Sequence, residues 1–390
     1  MSLSVPTVRK TKGNGELPGP KPGGLKNRRI SRKLLPLTVC ALVLGGALYL
    51  TYILTRDSAH PRVLAHIPGG EMVAVHSSAF VVTRQGSLEV VSPDGTVQGA
   101  GASYESILPS GPWLIGLSSN SMSLIQPLRP SSPEFSLTLG HRERPVPLLD
   151  GDMLITCIPL QGLKFGEPWQ LRAISKESKI MWHSQIPYAP LFGISAGGRL
   201  IIAAVDISGG GNLWMLCLSA DTGKLLWQER LGQGAWRYLA LASDGNIMAV
   251  LDSWACSITP QGQVAWAYRP ARTILSAVSD SGVLALSVSK AQDGAISKLL
   301  GNAQVVALSS GGDILWEYKT TDELPRVFAH DGRLVVLESD RFACLDLQTG
   351  GLLVSAKLDG YPITCAKNVI LIYKDNGLLL IDPGIPKSAR

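Results

Sequence analysis

"ADTGKLLWQERL", residues 220–231, reads as a tight turn that releases into a strand opening on a tryptophan. Glycine in such a turn tolerates the positive φ that strand-to-strand reversals need. The phrase recurs along the chain. "ISKESKIMW" ends at Trp182, "SADTGKLLW" at Trp227, "ITPQGQVAW" at Trp266 and "LSSGGDILW" at Trp316. Weaker copies, "VSPDGTV", "RPSSPEF" and "DLQTGGLLV", end at Val97, Phe135 and Val354. Successive copies are 38, 47, 45, 39, 50 and 38 residues apart. A period of this length with strand-type content implies four-stranded blades repeated around an axis.

Each unit keeps one internal order. The aromatic strand is followed by a short strand and a turn such as "ASDG" (242–245) or "AHDG" (329–332). An apolar strand such as "NIMAVLD" or "RLVVLES" comes next, and then a strand that enters the next turn, such as "RFACLDLQTG". The aromatic residue fits a packing role, since a large planar side chain at a blade's edge fills the wedge between neighbours. Trp182, Trp227, Trp266 and Trp316 are therefore expected as structural docking residues. The turn glycines Gly223, Gly262, Gly312 and Gly350 belong with them.

"ADTGKLLW" resembles the tryptophan-docking repeat of quinoprotein-like β-propellers, closely over 216–227 and 344–354 and loosely over 62–384 as a whole. The resemblance implies an all-β propeller in which the tryptophan strand is outermost in its blade. "RVLAHI" (62–67) is then an orphan outer strand, and "PITCA", "NVILIY" and "GLLLIDP" are three strands lacking a fourth. Joining them closes the ring as a 3+1 blade and gives eight blades. The alternative is seven, if 97–150 forms fewer than two. Enzymes of the family add a vicinal cysteine pair and a calcium site of Glu, Asn and Asp. This chain has no Cys-Cys, and no calcium triad can be matched in it, so no catalytic, cofactor or metal residue is assigned. The expected role is a non-catalytic protein-binding or scaffolding module, with a ligand-sensing receptor as the alternative and a quinone-dependent dehydrogenase behind both. A non-enzymatic, lipid-anchored branch of the fold serves outer-membrane β-barrel assembly, but this chain departs from it at the anchor, so that role does not transfer.

Three of the intervals are long, and their extra residues fall between the second and third strands of a unit: "PLQGLKFGEPW" (159–169), "SGGGN" (208–212) and "KAQDGAISKLLGN" (290–302). In an up-and-down blade these hairpins share the face of the blade-to-blade crossovers. Loops on a rigid scaffold are where binding concentrates. Leu163, Phe165, Trp169, Asn212, Lys290, Lys298 and Leu299 are the candidate partner-binding residues on that face.

The six histidines are scattered without metal-ligand spacing. Cys217, Cys256 and Cys344 each stand six residues before a turn glycine, in a repeat position that Ala307 and Ala173 hold elsewhere. A position alternating between Cys and Ala suits a small buried side chain. The symmetry puts the three cysteines in different blades.

Residues 1–33 carry nine Lys/Arg against Glu16, a charge of +8, so the remainder of the chain sums to −2 out of a total of +6. The basicity lies in a Gly- and Pro-rich tail expected to be disordered and cytoplasmic, which is no argument for nucleic-acid binding. "LLPLTVCALVLGGALYLTYIL", Leu34–Leu54, is 21 uncharged residues, long enough to span a bilayer as a signal-anchor helix. Basic residues crowd its N-terminal side, which places the N-terminus inside and the propeller outside the cytoplasmic membrane. The expected organisation is thus tail 1–33, helix 34–54, linker 55–61, propeller 62–384 and tail 385–390. The lipid bilayer and an envelope protein are the expected partners.

Overall fold

A computed structural model of the chain describes residues 62–384, apart from positions 69, 77–78, 85–86, 100–103, 111–112, 127–134, 149–152, 161–167, 176, 178, 209, 243, 290–302 and 368. The expected tail, helix and linker (1–61) and residues 385–390 lie outside the described residues. Among the described residues no helix is long and apolar enough to cross a membrane.

The first strand, β1 (Arg62–Pro68), is set aside for the last blade. Blade 1 is β2 (Gly70–His76), β3 (Ala79–Arg84), β4 (Ser87–Val91) and β5 (Val97–Gly99). Blade 2 is β6 (Ser106–Ser110), β7 (Trp113–Ser118), β8 (Ser121–Ile125) and β9 (Phe135–Thr138). Blade 3 is β10 (Arg144–Val146), β11 (Leu154–Pro159), β12 (Trp169–Ile174) and β13 (Ile180–Ile186). Blade 4 is β14 (Ala189–Ala196), β15 (Arg199–Asp206), β16 (Asn212–Ser219) and β17 (Leu225–Gly232). Blade 5 is β18 (Trp236–Leu241), β19 (Ile247–Leu251), β20 (Ala255–Ile258) and β21 (Val264–Tyr268). Blade 6 is β22 (Ile274–Asp280), β23 (Val283–Val288), β24 (Gln304–Leu308) and β25 (Ile314–Lys319). Blade 7 is β26 (Arg326–His330), β27 (Arg333–Leu337), β28 (Arg341–Asp346) and β29 (Leu352–Lys357). Blade 8 is β30 (Tyr361–Ala366), β31 (Val369–Lys374) and β32 (Gly377–Asp382), completed by β1. The molecule is thus an eight-bladed propeller closed by a 3+1 blade, and the seven-bladed alternative is excluded.

Position in the blade explains composition. Second and third strands are covered on both sides by neighbouring blades, so they read as unbroken buried apolar runs, as in "IMAVL" of β19 and "VLALSV" of β23. Outer strands are half-exposed and carry charge, as in "ILWEYK" of β25. The core is a ring of wedges with a cluster of buried apolar side chains at every junction between blades.

A feature that alternation alone does not show recurs in blades 3 to 7. The pairing of third and fourth strands slips by one residue at Ala173/Ile174, Cys217/Leu218, Ser257/Ile258, Ala307/Leu308 and Cys344/Leu345. These are β-bulges placed immediately before the docking position, and a bulge re-aims the side chain that follows it. They also explain pairs of consecutive exposed apolar residues such as Ile180 and Met181, 58% and 52% exposed, and Ile314 and Leu315.

Candidate functional site

The blades alternate strictly up and down, which sorts the loops onto two faces. First-to-second and third-to-fourth turns lie on one, the turn face. Second-to-third hairpins and blade crossovers lie on the other, the crossover face.

The turn face is where the tryptophans act. Trp182 Nε1 donates to Ala220 O at 2.6 Å, Trp227 to Pro260 O at 2.9 Å, Trp266 to Ser310 O at 2.7 Å and Trp316 to Leu347 O at 2.9 Å. Each acceptor belongs to the turn of the next blade. Each indole also lies flat on that turn's glycine: a Cβ on Gly223 would meet the Trp182 ring at 2.4 Å, and one on Gly262, Gly312 or Gly350 would meet the preceding blade's tryptophan at 2.7 or 2.8 Å. All four glycines have φ between +68° and +87°, the left-handed region glycine adopts without penalty. Four successive junctions, from blade 3 to blade 7, are fastened in this way.

The cysteines follow the same register with one correction. Cys217, Cys344, Ala173 and Ala307 pair with the docking positions Trp227, Val354, Trp182 and Trp316, but in blade 5 the partner of Trp266 is Ser257, not Cys256. The turns of blades 4 and 7 close Ser219 N on Lys224 O and Asp346 N on Gly351 O, whereas those of blades 5 and 6 close Thr259 N on Gln263 O and Ser309 N on Asp313 O. The latter are one residue shorter, so counting back from the glycine lands one place off. The five described cysteines are buried thiols outside any disulfide. Burial pushes the thiols of Cys217 and Cys344 up to about 11 and that of Cys256 up to about 12. They stay protonated at neutral pH and are inert as nucleophiles.

The crossover face of blades 3 to 5 has a different character. Trp169, Trp214, Trp236 and Trp254 all lie at the crossover ends of their strands, and none is at a docking position. Trp169 opens β12, is 9% exposed, and carries the Arg144 guanidinium over its ring at 4.7 Å. Arg144 also donates to Pro190 O at 3.1 Å, which ties blade 3 to blade 4. Tyr188, on the next crossover, stacks on Trp214 with centroids 4.4 Å apart and planes 14° apart. Burial raises the Tyr188 hydroxyl above its usual range, with Asp206 adding to the shift. Asn212 opens β16, is 8% exposed, and accepts from Arg230 Nη2 at 2.7 Å. Trp236 meets Phe192 edge-on at 5.8 Å, and Arg269 lies over Trp254 at 5.3 Å.

Of the residues expected on this face from the sequence, Trp169 and Asn212 are therefore strand-opening residues held by arginines rather than loop tips. Leu163, Phe165, Lys290, Lys298 and Leu299 lie outside the described residues. Sequence reading missed Trp214, Trp236, Trp254 and Tyr188. The usable signal was subtraction: these aromatics sit beside a hairpin or crossover and outside the repeat phrase. Toward the inner strands of blades 4 to 6 a recess of about 590 Å³ is lined by Phe192, Ile194, Trp236, Arg237 and Leu241, among others. Its wall is fixed by Tyr238, whose hydroxyl lies 3.0 Å from Ser279 Oγ and accepts from Ser279 N at 3.1 Å. Among the described residues no group of three His, Cys, Asp or Glu side chains could hold a metal ion. The chemistry this face offers is recognition by arginine and aromatic rings.

Residues 170–323 match the family model described as PQQ_2, outer membrane protein assembly factor BamB. The match runs from β12 to the crossover after β25, the stretch that contains all four docking tryptophans. No curated protein matches the chain in sequence. Among solved structures, BamB from Moraxella catarrhalis is 12% identical, with 83% of this chain and 97% of that one covered and a TM-score of 0.50. The quinohemoprotein alcohol dehydrogenase ADHIIG from Pseudomonas putida HK5 is 10% identical, with 85% and 77% covered and a TM-score of 0.54. Sqt1 from Saccharomyces cerevisiae is 10% identical, with 83% and 99% covered and a TM-score of 0.56. At these identities the likeness is one of fold. The chain thus has the fold of an eight-bladed β-propeller, and over residues 170–323 its repeats are similar to those of the PQQ_2 family model.

Proposed function

We propose that the chain is a non-catalytic protein-binding scaffold of the cell envelope that receives its partner on the crossover face of blades 3 to 5. Leu34–Leu54 would serve as its membrane anchor, with the propeller outside. The observation that carries this reading is the gathering of Trp169, Tyr188, Trp214, Trp236 and Trp254 with Arg144, Arg230 and Arg269 on one face. Tryptophan, tyrosine and arginine are the residues that dominate binding energy at protein interfaces. The family match supports the same reading, since the matched model is described as an assembly factor. The test is affinity capture from detergent-solubilised membranes with the intact chain and with an Arg230→Glu, Arg269→Glu variant. Partners held by the intact chain and lost from the variant are expected. An identical set from both would end the reading.

A second reading, a ligand-sensing receptor, is favoured by the recess beside Arg237 on the inner strands. It predicts that small molecules raise the unfolding temperature and that Arg237→Gln abolishes the rise.

A further inference from the structure

The scaffold reading leaves the kind of partner open, and the charge pattern of the crossover face narrows it. In blades 7 and 8 two cations of the face are neutralised, while Arg326 lies over Tyr361 instead. Lys374 pairs with Asp359 at 2.5 Å and with Asp375 at 4.0 Å, and Arg341 lies 3.8 Å from Glu338. In blades 3 to 5 Glu143 neutralises Arg172 at 3.5 Å, but three further arginines have other partners. Arg144 is spent on a carbonyl, the Cys157 sulfur and an indole, Arg230 on the amide oxygen of Asn212, and Arg269 on an indole face. Among the described residues none of Arg144, Arg230, Arg237 and Arg269 is in an ion pair. The carboxylates of that rim include Glu143, which is taken up by Arg172, Thr156 and Gly140 N, Asp206, which accepts from Ser208 N and Oγ, and Asp252. The chain beyond residue 33 sums to −2, so this surplus of positive charge is local and runs against the background.

We propose that the crossover face of blades 3 to 5 binds an acidic, aromatic- or leucine-bearing segment of a partner polypeptide. This rests on the scaffold reading and deepens it. Arg269, laid on the Trp254 face, keeps its N–H edge for a carboxylate, which arginine binds with two parallel hydrogen bonds. The cations alternate with rings across three blades: Arg144 on Trp169, then the Tyr188–Trp214 stack, then Arg230, Trp236 with Arg237, and Arg269 on Trp254. A segment alternating carboxylates with apolar side chains matches that alternation. A nucleic acid, with phosphates at close regular spacing, needs an unbroken basic track instead.

The test uses the full chain in detergent micelles and a fluorescein-labelled dodecapeptide of alternating Glu and Leu or Tyr, read by anisotropy. The expected result is saturable binding that weakens steeply with salt and falls about tenfold in the Arg230→Gln, Arg269→Gln variant. Thermal unfolding checks that this variant folds. A Gln-for-Glu peptide on the unaltered chain gives the same comparison without mutation, and it should bind at least about tenfold more weakly. Equal binding of the two peptides overturns the proposal. So does tighter arginine-dependent binding of an oligothymidylate or of anionic phospholipid vesicles, and so does salt-sensitive self-association of the chain that excludes the peptide. A partner captured through this face that lacks an acidic segment would refute the partner class while leaving the scaffold reading intact.

Discussion

Blades 3 to 7 and the arc formed by blades 8, 1 and 2 share one fold but are fastened by different means. In the first arc an indole from each of blades 3 to 6 lies on a glycine of the next and donates to that turn's backbone. At the junctions around the second no tryptophan stands at the docking position: Val354 of blade 7, Val97 of blade 1 and Phe135 of blade 2 do instead. At blade 8 the reason is topological. Its third and fourth strands come from opposite ends of the described chain, so no turn joins β32 to β1 and there is no glycine for an indole from blade 7 to rest on. That junction is held otherwise. Arg326 on β26 donates both guanidinium arms to the carbonyls of Pro362 and Ile363 on β30. Between blades 8 and 1 the receiving turn persists, and Leu64 and Ala65 of β1 take the indole's place against Gly95. The repeat signature is thus a readout of whether a receiving turn exists and what covers it. Where the signature fades, strand pairing between chain ends and an arginine latch substitute for it.

The comparison can be broken first by removing an indole. Trp227→Ala should cost about 3 kcal/mol in urea unfolding, because a large half-buried ring and its hydrogen bond are lost together. Val354→Ala, at the same repeat position in a junction with no receiving turn, should cost about 2 kcal/mol. Equal losses would mean that docking contributes nothing special. On the receiving side, Gly223→Ala places a Cβ 2.4 Å from the Trp182 ring at a φ of +68°, and should cost about 2 to 4 kcal/mol. Gly95→Ala, at a φ of +89°, brings its Cβ no nearer than 3.0 Å to Leu64 O and 3.3 Å to Ala65 Cβ, so its loss should be smaller in the same assay. Trp266→Phe keeps a ring on Gly312 but removes the donor to Ser310 O, a loss of about 1 kcal/mol.

The smallest effect is a pH dependence. Burial raises the thiols of Cys217 and Cys344 from 9.0 to about 11, so above pH 9 the unfolded chain releases protons that the folded chain retains. Unfolding is then favoured progressively as pH rises from 9 toward 11, and no effect of these groups is expected below 9. Cys217→Ala and Cys344→Ala should flatten the alkaline limb of a melting-temperature profile, and an unchanged limb would assign it to other groups.

The repeat and the placement of the long hairpins were legible from the spacing of one short phrase. The 3+1 closure, and with it the eighth blade, followed from the family resemblance, which makes the tryptophan strand outermost. The bulge before each docking residue was visible only as a breach of alternation, the two apolar residues in "KLLW" or "DILW". The receiving turn was not legible as belonging to the next blade, since the indole and its glycine lie 34 to 46 residues apart, as Trp316 to Gly350 and Trp266 to Gly312 show. Cys256 was misplaced because turn length varies by one residue between blades. The arginine and aromatic face was the least legible part. Trp169, Trp214, Trp236 and Trp254 come from three blades and meet only because strand direction alternates, so no local pattern marks them as a group.

The tryptophan-docked arc therefore holds rigid the very blades whose crossover face carries the arginines and rings, and partner binding on that face is the central claim. It is tested most directly by photocrosslinking in native membranes, with a benzoylphenylalanine placed at Trp254 on blade 5 or at Ser339 on the same face of blade 7. The account predicts a discrete protein adduct from position 254, lost when Arg230 and Arg269 are changed to glutamate, and none from position 339. Adducts from both positions alike, or from 339 alone, would contradict it.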